Sequence, residues 1–181
     1  MIRLGVDPGD SSGAAALLSA PGAGRAFVCA VLAWSPGESD GDRDLRVYSN
    51  GTLHRLQPGA FPEFARTWLH NLRTHPINGV SVEEPISGHH RGAGAVSTVT
   101  HAAASWWRGL IFGVLDHEAA RPLAQTWRRD VLSLPSSLKS RQADAQIARL
   151  IPARVELPAG IPKWAMKHLP DACGVALWVP R

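Results

Sequence analysis

The sequence predicts an α/β protein with a five-stranded mixed sheet, an antiparallel meander joined to parallel strands, flanked by helices. Two observations lead there. Three short apolar runs follow one another within the first 34 residues, separated by turn-forming stretches. From Phe61 onward, segments with helical spacing alternate with short apolar runs. Such alternation brings successive strands into a sheet through crossover helices, which makes them parallel.

Each element can be justified in order. Ile2 to Val6 and Ala14 to Leu18 are apolar runs on either side of a short turn, hence a hairpin, and Ala26 to Trp34 continues as a third strand. Ser35 to Asn50, rich in Gly, Asp, Ser and Arg, reads as an exposed loop. Phe61, Phe64, Ala65, Trp68, Leu69 and Leu72 fall at spacings of three and four, the mark of an amphipathic helix. Gly79 to Val82 is a short strand that stops at Glu83-Glu84-Pro85, since proline cannot extend an interior strand. A loop from Ile86 to Gly94 carries His89, His90 and Arg91 among glycines.

A long helix follows, roughly Val96 to His117. Val96, Val99, Ala103, Trp106, Leu110 and Val114 form one apolar stripe, and Trp107, Ile111 and Leu115 widen it past a single face. A helix apolar on more than one face is buried on more than one side. Leu123 to Trp127 reads as the fifth strand, and Ala143, Ile147, Leu150 and Ile151 mark another helix. Arg154 to Lys167, with its prolines, reads as a loop, and the last helix runs from about Pro170 to Trp178.

Length and composition bound the answer. A chain of 181 residues, 45% hydrophobic and 19% charged, suits one soluble domain spanning residues 1–181. No apolar run reaches membrane-span length and no signal-type segment opens the chain, so a cytoplasmic protein with no membrane partner is expected. Cys29 and Cys173 lie in apolar runs without zinc-site spacing, which predicts free, buried thiols. The net charge of +4 and a pI near 9.7 suit a polyanionic partner. Arginine carries most of it, with lysine only at Lys139, Lys163 and Lys167, and arginine's planar fork suits phosphate.

The chemistry gathers around carboxylates. Asp7 and Glu83 end two strands, where parallel sheets present functional side chains. Pro170 suits the first position of the last helix, which puts Asp171 in its first turn, where the helix dipole favours an ionised acid. His168 stands three residues earlier, and Leu169, preceding proline, is biased away from helical geometry. Glu83 and Glu84 are adjacent, and since strand side chains alternate only one can enter a shared site; the strand end favours Glu83.

"GVDPG" closing the first strand, "VEE" closing the fourth and "HLPDACGVAL" opening the last helix resemble the RuvC Holliday-junction resolvases, which are ribonuclease H-like nucleases. Arg108-Gly109-Leu110 is similar to part of that family's dimerisation helix. The resemblance implies a ribonuclease H-like fold and a homodimer formed through the helix around Val96 to His117. It also implies that Asp7, Glu83, His168 and Asp171 are catalytic and hold Mg²⁺ or Mn²⁺, two ions per site. Family members carry either a carboxylate or a histidine at the position of His168. Two ions about 4 Å apart activate water and stabilise the leaving oxyanion, and Mg²⁺ prefers hard oxygen ligands.

The implied substrate is a four-way DNA junction, cut symmetrically. Arg128, Arg129, Lys139 and Arg141 stand where the family carries basic residues, and phosphate contacts would supply most of the affinity. The loop after Glu83 departs from the family pattern: His89, His90 and Arg91 stand where an aromatic residue probes the junction centre. Trp68, Trp106, Trp107 and Trp178 fall on helical stripes and read as core or interface, while Trp127 and Trp164, beside basic residues, stay open between core and base stacking. Other readings also stay open. One is a ribonuclease H-like nuclease acting on flapped or branched DNA, an RNA precursor or an RNA–DNA hybrid. Another is a non-catalytic DNA-binding domain. A sugar-kinase or actin-like phosphotransferase would need a second glycine-rich phosphate loop, which the chain does not show.

Overall fold

In the computed structural model, the described residues are 1–9, 11–22, 24–37, 44–85, 94–138 and 140–180, with side chains described for all of these except 94–98 and 140. Strands β1 (Ile2–Asp7), β2 (Gly13–Ser19) and β3 (Ala26–Pro36) form the expected antiparallel meander. Two further strands, β4 (Leu45–Ser49) and β5 (Thr52–Leu56), extend it, and β6 (Ile77–Val82) lies parallel to β1 on the other side. The sheet order is β5-β4-β3-β2-β1-β6, and the short β7 (Val155–Glu156) pairs parallel with the start of β3. Helices α1 (Phe61–Leu72) and α2 (Gly94–Leu115) follow β5 and β6 in the chain. Helices α3 (Ala124–Leu132), α4 (Ser140–Arg154) and α5 (Leu169–Leu177) complete it.

The helices cover both faces of the sheet. Leu4, Val6, Ala15, Leu17 and Leu32 pack on Trp68 and Leu69 of α1 and on Trp107 and Ile111 of α2. Ala14, Ala16 and Val31 face the other way, onto Trp127 of α3, Ile147 of α4 and Cys173 and Ala176 of α5. That division follows from the two-residue alternation of strand side chains between buried layers. No helix among the described residues is long and apolar enough to cross a membrane.

The mixed sheet flanked by helices is as expected, but among the described residues it holds seven strands rather than five. The stretch Ser35 to Asn50 is not one loop. β3 runs on to Pro36, and β4 and β5 form a hairpin around Asn50-Gly51, whose φ values of 47° and 93° are those a tight two-residue hairpin turn requires. Leu123 to Trp127 is not a strand: Leu123 is the extended residue before α3, and Ala124 to Trp127 is the helix's first turn. Strand-like pairing does occur, but slightly earlier, through isolated parallel bridges from Ser81 to Ala120 and from Glu84 to Leu123. Cys29 is exposed rather than buried, whereas Cys173 is buried. The reason is a bulge: Leu17 pairs with Ala30 and Leu18 with Val28, so Cys29 is the residue without an opposite number.

Candidate active site

The site is built from the ends of two strands and the start of one helix. Asp7 closes β1, and the backbone N–H of Glu83 donates to the Val6 carbonyl at 2.9 Å, so the pairing of β1 with β6 persists to the glutamate. α5 lies directly on β1. A Cβ at Gly5 would stand 2.2 Å from the Ala172 carbonyl oxygen and 2.3 Å from the Ala176 nitrogen, so only glycine allows this approach. It brings Asp171, in the first turn of α5, to the same edge.

Each acid meets a partner of its own. The Nδ1 of His168 lies 3.0 Å from Asp7 Oδ2, and its Nε2 lies 3.0 Å from the hydroxyl of Ser12 in the β1–β2 turn. A carboxylate only accepts hydrogen bonds, so Nδ1 presents its proton to Asp7, and Nε2 faces a hydroxyl that can either donate to it or accept from it. The indole N–H of Trp127 donates to Glu83 Oε2 at 2.6 Å, and Arg128 Nη2 donates to Asp171 Oδ1 at 3.1 Å. Arg128 also stacks over the Trp127 ring, 5.5 Å from its centroid, and its buried Nε has no hydrogen-bond partner.

The electrostatics are those of a site crowded with negative charge. Burial pushes the Glu83 carboxyl up to about 8, with the charges of Asp7 and Asp171 adding to it and the Trp127 hydrogen bond and Arg128 opposing it. Burial likewise raises Asp171 to about 7; Asp7 adds to this, while Arg128 works against it. Three acids that act on one another across a buried edge, against the one guanidinium that opposes them among the described residues, favour a further cation. Their oxygens are the hard ligands a divalent ion of the magnesium type takes. Among the described residues no three His, Cys, Asp or Glu side chains are already drawn together as a finished metal centre, and one oxygen of each acid turns to a donor of its own. The chemistry of the donor set fits such an ion.

All four residues expected at the site, Asp7, Glu83, His168 and Asp171, come to this edge. Glu84 points away, pairing with Arg108 of α2 and lying 3.4 Å from His101 Nδ1, as strand alternation demands. Arg128 is held inside the site on Asp171. Arg129 is exposed and pairs with its neighbour Asp130 at 2.9 Å, and Arg141 is exposed on α4. Lys139, His89, His90 and Arg91 lie outside the described residues. Two participants were not expected. Ser12 gave no signal beyond its place in the turn. Trp127 did have one, since Ala124, Trp127 and Val131 are spaced as a helix face that carries the indole inward.

A scan against protein-family models finds no match, and a search of curated proteins finds none either. Solved structures do match. The chain is similar to Thermus thermophilus RuvC in complex with a Holliday junction substrate, with a TM-score of 0.59 and 13% identity over 98% of this chain and 91% of that one. A second T. thermophilus RuvC structure matches over the same shares with a TM-score of 0.53 and 13% identity. At that identity the likeness speaks for the backbone, and on that ground the chain has the ribonuclease H-like fold of RuvC.

Proposed function

We propose that this chain is a divalent-metal-dependent, structure-selective endonuclease that resolves four-way DNA junctions by paired, symmetric phosphodiester hydrolysis as a homodimer. One observation carries the reading: Asp7, Glu83 and Asp171, with His168 on Asp7, meet at the edge of the parallel β1–β6 pair. They do so in a fold shared with a resolvase solved on its junction. Mg²⁺ or Mn²⁺, two ions per site, would be held by Asp7, Glu83 and Asp171, with His168 as a nitrogen ligand or proton carrier. When bound, the ions supply activation of the attacking water and stabilisation of the leaving oxyanion.

The chain's own residues prepare that site. Ser12 and Asp7 fix the His168 ring from both sides. Arg128 sets a guanidinium beside Asp171, and phosphate contacts from Arg128, Arg129 and Arg141 would hold the DNA, with Lys139, His89, His90 and Arg91 as further candidates from the sequence. For the dimer, α2 offers Val99, Ala102, Trp106, Gly109 and Gly113 at alternating spacings of three and four. Val99 is 51% and Trp106 36% exposed, and a Cβ at either glycine would meet nothing within 4 Å, so a second copy of the helix has room to pack. Such work belongs to the cytoplasm of a bacterium or of its virus-infected host.

The test is cleavage of a synthetic four-way junction by the purified protein with Mg²⁺ or Mn²⁺, beside linear duplex, flapped DNA and an RNA–DNA hybrid. Paired nicks confined to the junction, lost by about 10³-fold or more in Asp7→Asn, are expected. Cutting only the other substrates would assign a different ribonuclease H-like nuclease. Tight junction binding without cutting would leave a DNA-binding domain.

A further inference from the structure

The segment that holds Glu83 is the one that reads least like a catalytic motif. Trp127 is completely buried, and its indole N–H ends on the carboxylate of Glu83 at 2.6 Å. A buried tryptophan needs a partner for its N–H, and many cores satisfy it with a carbonyl. Here the partner is an acid whose charged form is costly to bury, and since a hydrogen bond to an ionised acceptor is about twice as strong as a neutral one, the indole favours the charged form that a metal ligand must take. The ring is also wedged. A Cβ at Gly174 would lie 2.2 Å from the indole, so α5 carries a glycine one turn after Asp171 to admit it. The indole thus spans from the Glu83 carboxylate to the helix that presents Asp171.

We propose that Trp127 is a positioning residue: its indole N–H fixes one Glu83 oxygen, so that the other is aimed at the ion shared with Asp7 and Asp171. This rests on the metal-dependent reading of the same site. Glutamate has more rotatable bonds than aspartate, so its free carboxylate samples several rotamers, and the anchored one does not. Neither Asp7 nor Asp171 needs such an anchor to the same degree. The alternative is that Trp127 only fills space, in which case any ring of that shape would serve.

Two variants of this chain separate these accounts. Trp127→Phe removes the N–H and some volume. Replacing Trp127 with its benzothienyl analogue, sulfur in place of N–H, removes the donor and keeps the shape. Mn²⁺ binding is read by electron paramagnetic resonance, without DNA, and junction cleavage is read as kcat and KM separately. Both variants are expected to bind Mn²⁺ about 10-fold more weakly, the usual loss when the hydrogen-bond partner of a metal ligand is removed. In the analogue kcat should fall by a similar factor with KM within about twofold, because the ring on which Arg128 stacks keeps its shape. The analogue keeps the packing but leaves a buried acceptor without its donor, so a modest drop in melting temperature is expected, and the melting curve read beside binding shows that it stays folded at the assay temperature. An analogue that binds Mn²⁺ and cuts as wild type does would overturn the positioning role while leaving the nuclease reading intact. If wild type and Asp7→Asn bind Mn²⁺ equally poorly, the metal-dependent reading itself fails and takes this one with it.

Discussion

Glu83 and Asp171 sit where an ionised carboxylate is poorly solvated, and their protons should therefore be visible in stability. Both groups titrate above their ordinary range, to about 8 and about 7, chiefly through burial. Between the unfolded and folded values the native chain holds protons the unfolded chain has lost, so stability falls as pH rises through that window. With a chelator present, the melting temperature is expected to be lower at about pH 8.5 than at about pH 5.5, the reverse of a fold whose acids are salt-bridged. Glu83→Gln should flatten the trend, and scanning calorimetry at the two pH values checks it. At this scale the meeting of Asp7, Glu83, His168 and Asp171 was legible because each occupies a chain position with a topological meaning: two strand ends, a helix's first turn and the residue just before that helix. Trp127 was not, because reading it into a strand left its N–H without a direction. Ser12 was not, because a serine in a turn has no spacing to announce a histidine 156 residues away.

Helix α5 owes its place to a glycine in the strand beneath it. Gly5→Ala would drive a methyl into the Ala172 carbonyl and the Ala176 nitrogen, both backbone atoms that can yield only if the helix moves. A loss of about 2–3 kcal/mol is expected, with cleavage reduced beyond what the residual folded fraction explains, since Asp171 travels with the helix. Urea unfolding beside activity at saturating metal tests this. Among elements, long periodic ones were easiest to read: α1 spans the residues its spacing implied. The β4–β5 hairpin was missed although Asn50-Gly51 is a strong short-range hairpin signal, because flanking Arg, His and Ser obscured the alternation. The fifth strand failed for a different reason. The pairing beside β6 amounts to isolated bridges, too brief to leave a period in the sequence.

For the whole molecule the question is how two sites would stand relative to each other. The outward face of α2 keeps Val99, Trp106 and, further round, Phe112 at 56% exposure, more apolar surface than a solvated helix usually carries. Trp106→Glu is expected to give a monomer in sedimentation analysis, with Mn²⁺ binding intact and paired junction nicks replaced by single ones. Unchanged mass in that variant would move the interface elsewhere. The broad apolar face of α2 was legible from its composition, though not which stripe turns inward: Ala104, Trp107 and Ile111 are the buried ones. Glu84 adds a mechanical side to this arrangement. It is clamped to Arg108 on α2, while its neighbour Glu83 reaches through the sheet edge to the opposite layer. Two successive residues thus act like the arms of a rocker with a single peptide bond as fulcrum. A roll of α2 that carried Glu84 along with Arg108 would therefore pull on the backbone that bears Glu83.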